Sequence, residues 1–129
     1  IFVNPFSCLS FVHLQKSTKA DKTLQAKHAF EQCTCSHGIK VEHYHADNGC
    51  FAEMVQLAHV AKESQSISFC AVTMHHQNEV VEKGIRSHQD MTRSQLLNAK
   101  ICWPRAISEN IWPYAVCCAN KMHNVMLMQ

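Results

Sequence analysis

The chain has 129 residues, of which 47% are apolar and 17% are charged, and its formal net charge is +2. This length predicts one domain with an ordinary apolar core, and the composition argues against a disordered chain. The small net charge excludes a strongly basic tail, so any nucleic-acid contact must come from a local patch of the surface.

Strand and helix patterns alternate from the start of the chain. Residues 1–3 and 11–14 predict two short strands, and the turn-forming residues 4–7 join them. Thr18 is the predicted N-cap of a first helix, and Gly38 is its predicted C-terminal stop.

A strand over residues 41–46 is predicted next, and it ends at Asp47 because Asn48-Gly49 breaks the pattern. The later predicted elements are a helix around residues 51–61, a strand over 66–72, a helix capped by Asn78 that runs to about 99, and a last helix to about 124. This order predicts an α/β fold with a mixed sheet flanked by helices.

The first residues carry no signal-peptide pattern, and no apolar run is long enough to span a membrane. Since Ile1-Phe2-Val3 has the pattern of the middle of a strand, we expect a piece of a longer, soluble, intracellular polyprotein without a membrane partner. The eight cysteines are expected to be reduced thiols in that setting.

Two acidic residues stand at positions suited to metal chemistry. Asp47 lies where a strand ends, and Glu82 lies in the first turn of a helix after a polar loop. Carboxylates bind hard cations such as Mg²⁺, and a two-metal site stabilises both the attacking and the leaving oxygen of a phosphodiester. On these residues alone, the simpler interpretation is preferred: Glu82 is a favourable helix N-terminal charge and Asp47 a turn residue.

Longer motifs change that preference. His45-Ala46-Asp47-Asn48-Gly49-Cys50-Phe51 resembles the Asp-Asn-Gly-x-x-Phe region of integrases, with one residue fewer before the aromatic residue. Residues 75–83 resemble their His-x-Gln-Asn-Gly-x-x-Glu-Arg segment. The pattern continues at residues 96–100, 103–106, 111–115 and 119–120. Over almost its whole length, the chain resembles the catalytic core of copia-type (Ty1/copia) retrotransposon integrases.

The resemblance implies an RNase H-like fold and DNA integration. Such enzymes use three carboxylates to bind Mg²⁺ or Mn²⁺ ions, which activate water or a DNA 3′ hydroxyl for attack on a phosphodiester. Asp47 matches the second acid and Glu82 the third, so both are the implied catalytic and metal-binding residues. The resemblance also implies self-association and, for the intact protein, a nuclear location.

The implied partner is DNA. Gln77 and Asn78 match a loop that approaches DNA in the family. Lys83 and Arg86 follow on the exposed start of the helix, where they could meet DNA phosphates.

Some positions depart from the family pattern. We expect the first strand, which carries the first acid, to be missing, so residues 1–129 are a partial core that is inactive alone. Asn4 lies in the second strand, where an Asp is usual but does not bind metal. Glu79 replaces a usual glycine and Gly84 a usual arginine, which suggests decay. The alternative is therefore a non-catalytic relict fold that acts at most as a nucleic-acid or protein interaction module.

A zinc-binding module is a third hypothesis. Its candidate ligands are of the types that bind zinc, namely Cys33, Cys35, His37, His43 and His45. Their spacing argues against it, because Cys-x-Cys-x-His at a helix end directs the side chains apart, and two histidines on one strand face supply at most two ligands. We rank this hypothesis below the integrase interpretation.

Overall fold

The computed structural model describes residues 1–47, 54–70 and 78–127. Its elements, in chain order, are β1 (Phe2–Val3), β2 (Ser10–Phe11), α1 (Ala20–Ser36), β3 (His43–Ala46), α2 (Met54–Lys62), β4 (Ser66–Phe69), α3 (Glu79–Cys102), a short 3₁₀ helix (Glu109–Ile111) and α4 (Trp112–Leu127). The predicted order of strands and helices is confirmed, although α3 and α4 each extend about one turn beyond their predicted ends.

The chain divides into two compact units. The parallel unit comprises His13–Glu79, with α1, β3, α2 and β4. The hairpin unit comprises Ile1–Val12 and Val80–Gln129, with β1, β2, nearly all of α3, and α4. Among the described residues, the strands form two separate two-stranded ladders, antiparallel β1–β2 and parallel β3–β4, one in each unit. The predicted single mixed sheet is therefore not shown, although both kinds of strand pairing occur.

In the parallel unit, β3 and β4 run parallel, with His43 opposite Ser66 and Ala46 opposite Phe69. Strand β3 alternates, so that Tyr44 and Ala46 are buried while His43 and His45 are exposed. Tyr44 packs against Phe30 of α1, with ring centroids 6.5 Å apart. Such alternation is what a strand pair with one covered face requires.

Helix α1 begins and ends for different reasons. Gly38 has φ +74°, and the next residue, Ile39, donates its backbone N–H to Thr34 O at 3.0 Å. This left-handed residue ends the helix as predicted, because glycine adopts positive φ without steric cost. The predicted N-cap Thr18 is wrong: Lys19 occupies that position, and no side-chain hydrogen bond caps the helix there.

In the hairpin unit, the turn between β1 and β2 is closed by Asn4. Its Oδ1 accepts hydrogen bonds from the backbone N–H groups of Phe6 and Ser7, at 2.9 and 3.0 Å. This arrangement gives Asn4 a structural role, because a short amide side chain can satisfy the backbone of a tight turn.

Gly84 lets α3 approach β1 closely. A Cβ atom at this position would lie 3.2 Å from Val3 Cγ2. The sequence-based interpretation of Gly84 as decay is therefore incomplete, because the missing side chain also permits this packing.

A buried polar cluster, here called the Ser10 cluster, joins the hairpin to both helices. It comprises Ser10, His88, Asn120 and Asn124. Ser10 Oγ lies 3.0 Å from His88 Nε2 and donates to Asn120 Oδ1 at 2.7 Å. Asn124 accepts from the Ser10 backbone N–H at 2.9 Å and donates to Ser10 O at 2.8 Å. Asn124 thus satisfies both backbone polar groups of a buried strand residue.

Within the described ranges, no helix has the length and apolar character needed to cross a membrane.

Candidate metal centre

Asp47 directly follows β3 at the carboxyl end of the parallel pair. The neighbouring strand ends at the same level, since Cys70 donates its backbone N–H to Ala46 O at 3.0 Å. Asp47 is exposed. The sequence predicted that this carboxylate is exposed at a strand end, and the structure places it there. In α/β folds, ligands usually bind at the carboxyl ends of parallel strands.

Glu82 is exposed on the first turn of α3, which begins at Glu79. Lys83 and Arg86 are also exposed on the first two turns of this helix. A carboxylate near a helix N-terminus is stabilised by the helix dipole, and oxygen ligands of this kind suit Mg²⁺.

The other predicted DNA-contacting positions precede α3. Asn78 is half-buried immediately before the helix, and Gln77 lies outside the described residues. Asp47 belongs to the parallel unit and Glu82 to the hairpin unit. Their convergence on one ion stays a prediction.

The exposed face of the parallel pair carries a chain of polar contacts that the sequence analysis missed. His43 Nδ1 lies 2.7 Å from Ser66 Oγ, and His43 Nε2 lies 2.9 Å from Ser68 Oγ. His45 Nδ1 lies 2.8 Å from the same Ser68 Oγ. The sequence does carry a signal for these contacts: polar residues alternate with apolar ones in His-Tyr-His-Ala and Ser-Ile-Ser-Phe, and this period of two places the polar residues on one face of the sheet.

This chain of contacts continues to Cys70. Its Sγ lies 3.4 Å from His45 Nε2. Cys70 is only 7% exposed, whereas His45 is exposed. A thiol and an imidazole therefore meet at the same strand edge as Asp47.

The zinc-module hypothesis gains no support. All five of its candidate ligands lie in described ranges, and there no group of three or more His, Cys, Asp or Glu side chains could hold a metal ion. At the helix end, His37 instead contacts its own helix, with Nδ1 2.8 Å from Cys33 O.

A fully buried lysine joins α1 to the parallel strands. Lys27 is 0% exposed, and its Nζ donates to Glu31 Oε1 at 2.7 Å and to Gln65 Oε1 at 2.8 Å. Tyr44 donates its hydroxyl to the same Glu31 oxygen at 2.9 Å, and its ring centroid lies 5.3 Å from Lys27 Nζ. His59 Nδ1 lies 3.4 Å from Lys27 Nζ. We call this group the Lys27 cluster; its members are Lys27, Glu31, Tyr44, His59 and Gln65.

The Lys27 cluster shifts the pKa values of its members. Burial acts to raise the pKa of Glu31, but hydrogen bonds from Lys27, Gln65 and Tyr44 outweigh it, so the pKa is lowered. The pKa of Tyr44 is raised by burial and by the Glu31 carboxylate. Burial, followed by the nearby Lys27 and His28 charges, lowers the pKa of His59. An ionised Glu31 is therefore the counter-charge of the buried ammonium.

Comparison with known proteins gives a likeness of fold. No family model matches the sequence, and no curated protein matches it. Among solved structures, the catalytic core domain of HTLV-2 integrase in complex with magnesium, in a trimeric form, matches with a TM-score of 0.65 and 19% identity. The match covers 92% of this chain and 67% of that chain. The chain therefore has a mixed α/β fold like that of a retroviral integrase catalytic core.

Proposed function

We propose that residues 1–129 form a partial catalytic core of a copia-type retrotransposon integrase with an RNase H-like fold. The observation that carries the proposal is the position of Asp47. It is exposed directly after β3, at the carboxyl edge of a parallel strand pair, in a chain whose fold is like that of a retroviral integrase core. The Asp-Asn-Gly motif resemblance assigns this same residue to the metal centre.

In this proposal, Asp47 and Glu82 bind Mg²⁺ or Mn²⁺ together. Both side chains are exposed, and carboxylate oxygens are the ligands that hard divalent cations prefer. Divalent ions held there would supply activation of water, or of a DNA 3′ hydroxyl, for in-line attack on a phosphodiester. The magnesium in the HTLV-2 integrase structure supports the choice of ion.

DNA would approach along the start of α3. Lys83 and Arg86 lie exposed on its first two turns and can neutralise backbone phosphates. Gln77 and Asn78 precede them in the motif that resembles the family's DNA-contacting loop. Glu79 adds a negative charge at the helix start, which weakens this attraction.

The resemblance assigns only two of the three family acids to residues 1–129. We therefore expect no strand transfer from this chain alone, and detectable strand transfer would contradict that assignment. Self-association is part of the proposal, as in the trimeric form of the HTLV-2 integrase core.

The proposal is tested by Mn²⁺ binding, measured from the electron paramagnetic resonance signal of the free ion. Asp47→Asn and Glu82→Gln should each weaken binding about tenfold or more, because each removes a charged ligand. Asp90→Asn is a matched control, since Asp90 is an exposed acid of the same helix as Glu82. Equal Mn²⁺ binding by all four proteins would refute the proposal.

A further inference from the structure

The contact between Cys70 and His45 has the geometry of two adjacent metal ligands. Zinc binds a cysteine sulfur at about 2.3 Å and a histidine nitrogen at about 2.0 Å. In a tetrahedral centre, these bond lengths place the two ligand atoms about 3.5 Å apart. Cys70 Sγ and His45 Nε2 lie 3.4 Å apart, so neither needs to move far to share one ion.

Ser68 holds the imidazole in a suitable orientation. His45 Nδ1 lies 2.8 Å from Ser68 Oγ, so an Nδ1–H group can donate to this hydroxyl. Nε2 is then the unprotonated ring nitrogen, with the lone pair that a metal ion needs. Metal-binding histidines are usually fixed through their other ring nitrogen in this way, which sets both the tautomer and the ring direction.

A cation would reach the pair from the side of His45. His45 is exposed, whereas Cys70 is only 7% exposed. The strand register brings the two residues together, because His45 pairs with Ser68 and Cys70 directly follows the end of β4. The backbone N–H of Cys70 donates to Ala46 O at 3.0 Å, which keeps Cys70 beside the end of β3.

We propose that His45 Nε2 and Cys70 Sγ bind one borderline or soft divalent cation, such as Zn²⁺, with water completing the coordination. The thiol proton passes to solvent as the sulfur–metal bond forms. Two protein ligands make a weaker site than a structural zinc centre. The site differs in chemistry from the carboxylate pair proposed for Mg²⁺, because sulfur and imidazole ligands select zinc-like metals whereas carboxylates select Mg²⁺.

Cobalt titration tests this inference directly, because a thiolate bound to Co²⁺ gives a near-ultraviolet charge-transfer band that carboxylates cannot give. The reduced, metal-free 129-residue protein should develop the band, and Zn²⁺ should remove it by competition. An excess of Mg²⁺ should leave it unchanged. Cys70→Ser should abolish the band, and His45→Gln should weaken Co²⁺ binding.

Two further variants test whether the band arises from this pair of ligands. Ser68→Ala keeps both ligands but removes the partner of His45 Nδ1, so Co²⁺ affinity should fall roughly 10- to 100-fold. Cys118→Ser removes an exposed thiol of α4 and should leave the band intact. Absence of the band in the unaltered protein, or its persistence in a folded Cys70→Ser protein, would overturn the inference. Neither result bears on Mn²⁺ binding by Asp47 and Glu82.

Discussion

The two units bury polar groups in different ways. The Lys27 cluster of the parallel unit is built around a charge: the ammonium of Lys27 is 0% exposed and pairs with Glu31. The Ser10 cluster of the hairpin unit uses hydroxyl, amide and imidazole groups. Both clusters attach a strand to helices, yet their tolerance of substitution should differ, because an uncompensated buried charge costs more than an unsatisfied neutral group.

The largest expected effect follows from removing the charge of Glu31. Glu31→Gln keeps the shape of the side chain but leaves the Lys27 ammonium buried without a counter-charge. We expect the free energy of unfolding to fall by about 3–5 kcal/mol. Urea denaturation measures this loss of stability, and backbone hydrogen exchange should become faster in α1 and β3.

A second substitution separates charge from packing in this cluster. Lys27→Met in the Glu31→Gln background removes the uncompensated ammonium and should recover most of the lost stability. If the double variant were no more stable than Glu31→Gln alone, the buried charge would not be the cause, and the comparison between the clusters would fail.

A smaller effect is expected in the Ser10 cluster. Asn124→Ala leaves the backbone N–H and C=O groups of Ser10 without their side-chain partner. The expected loss is about 1–3 kcal/mol, measured by urea denaturation, with increased hydrogen exchange in β2 and α4. Lys121→Ala is the control, because Lys121 is exposed on the same helix. If Asn124→Ala lowered the free energy of unfolding as much as Glu31→Gln does, the two clusters would not differ in their tolerance of substitution.

Acidification should weaken the Lys27 cluster. The lowered pKa of His59 means that the folded state favours its neutral form, so stability is lost as pH falls below about 6.5. The lowered pKa of Glu31 adds a second loss as pH falls below 4.5. Urea midpoints measured from about pH 7 to about pH 5 should decline, and His59→Gln should flatten this decline. An equally steep decline in His59→Gln would assign the effect to other groups.

The smallest effect concerns Gly84. Gly84→Ala gains up to about 1 kcal/mol of helix propensity. The new Cβ would lie 3.2 Å from Val3 Cγ2, so this contact should cancel most of the gain. In a Val3→Ala background, the same substitution should stabilise the protein. A double-mutant cycle by urea denaturation checks this coupling, and strict additivity would show that the close approach is unimportant.

The element order was predictable because it depends on local signals. Apolar periodicity marks the helices and strands, and Gly38 and Asn48-Gly49 mark where two of them end. The exposed strand-end position of Asp47 was predictable for the same reason. The position of the N-cap of α1 was not predictable, because it depends on the backbone geometry and several neighbouring polar residues could occupy it.

The two buried clusters could not be predicted from local patterns. A lysine in a helix is nearly always exposed, and the burial of Lys27 depends on Gln65, 38 positions later. Ser10 and Asn124 are 114 positions apart. Pairings over such separations follow from tertiary packing, which a single sequence does not specify residue by residue.

We propose above that Asp47 and Glu82 share a divalent ion. The most direct measurement is anomalous X-ray scattering from crystals of the protein soaked in Mn²⁺. We predict a manganese peak with carboxylate oxygens of both residues at about 2 Å. Carboxylates too far apart to reach a common ion, in crystals with bound manganese elsewhere, would contradict it.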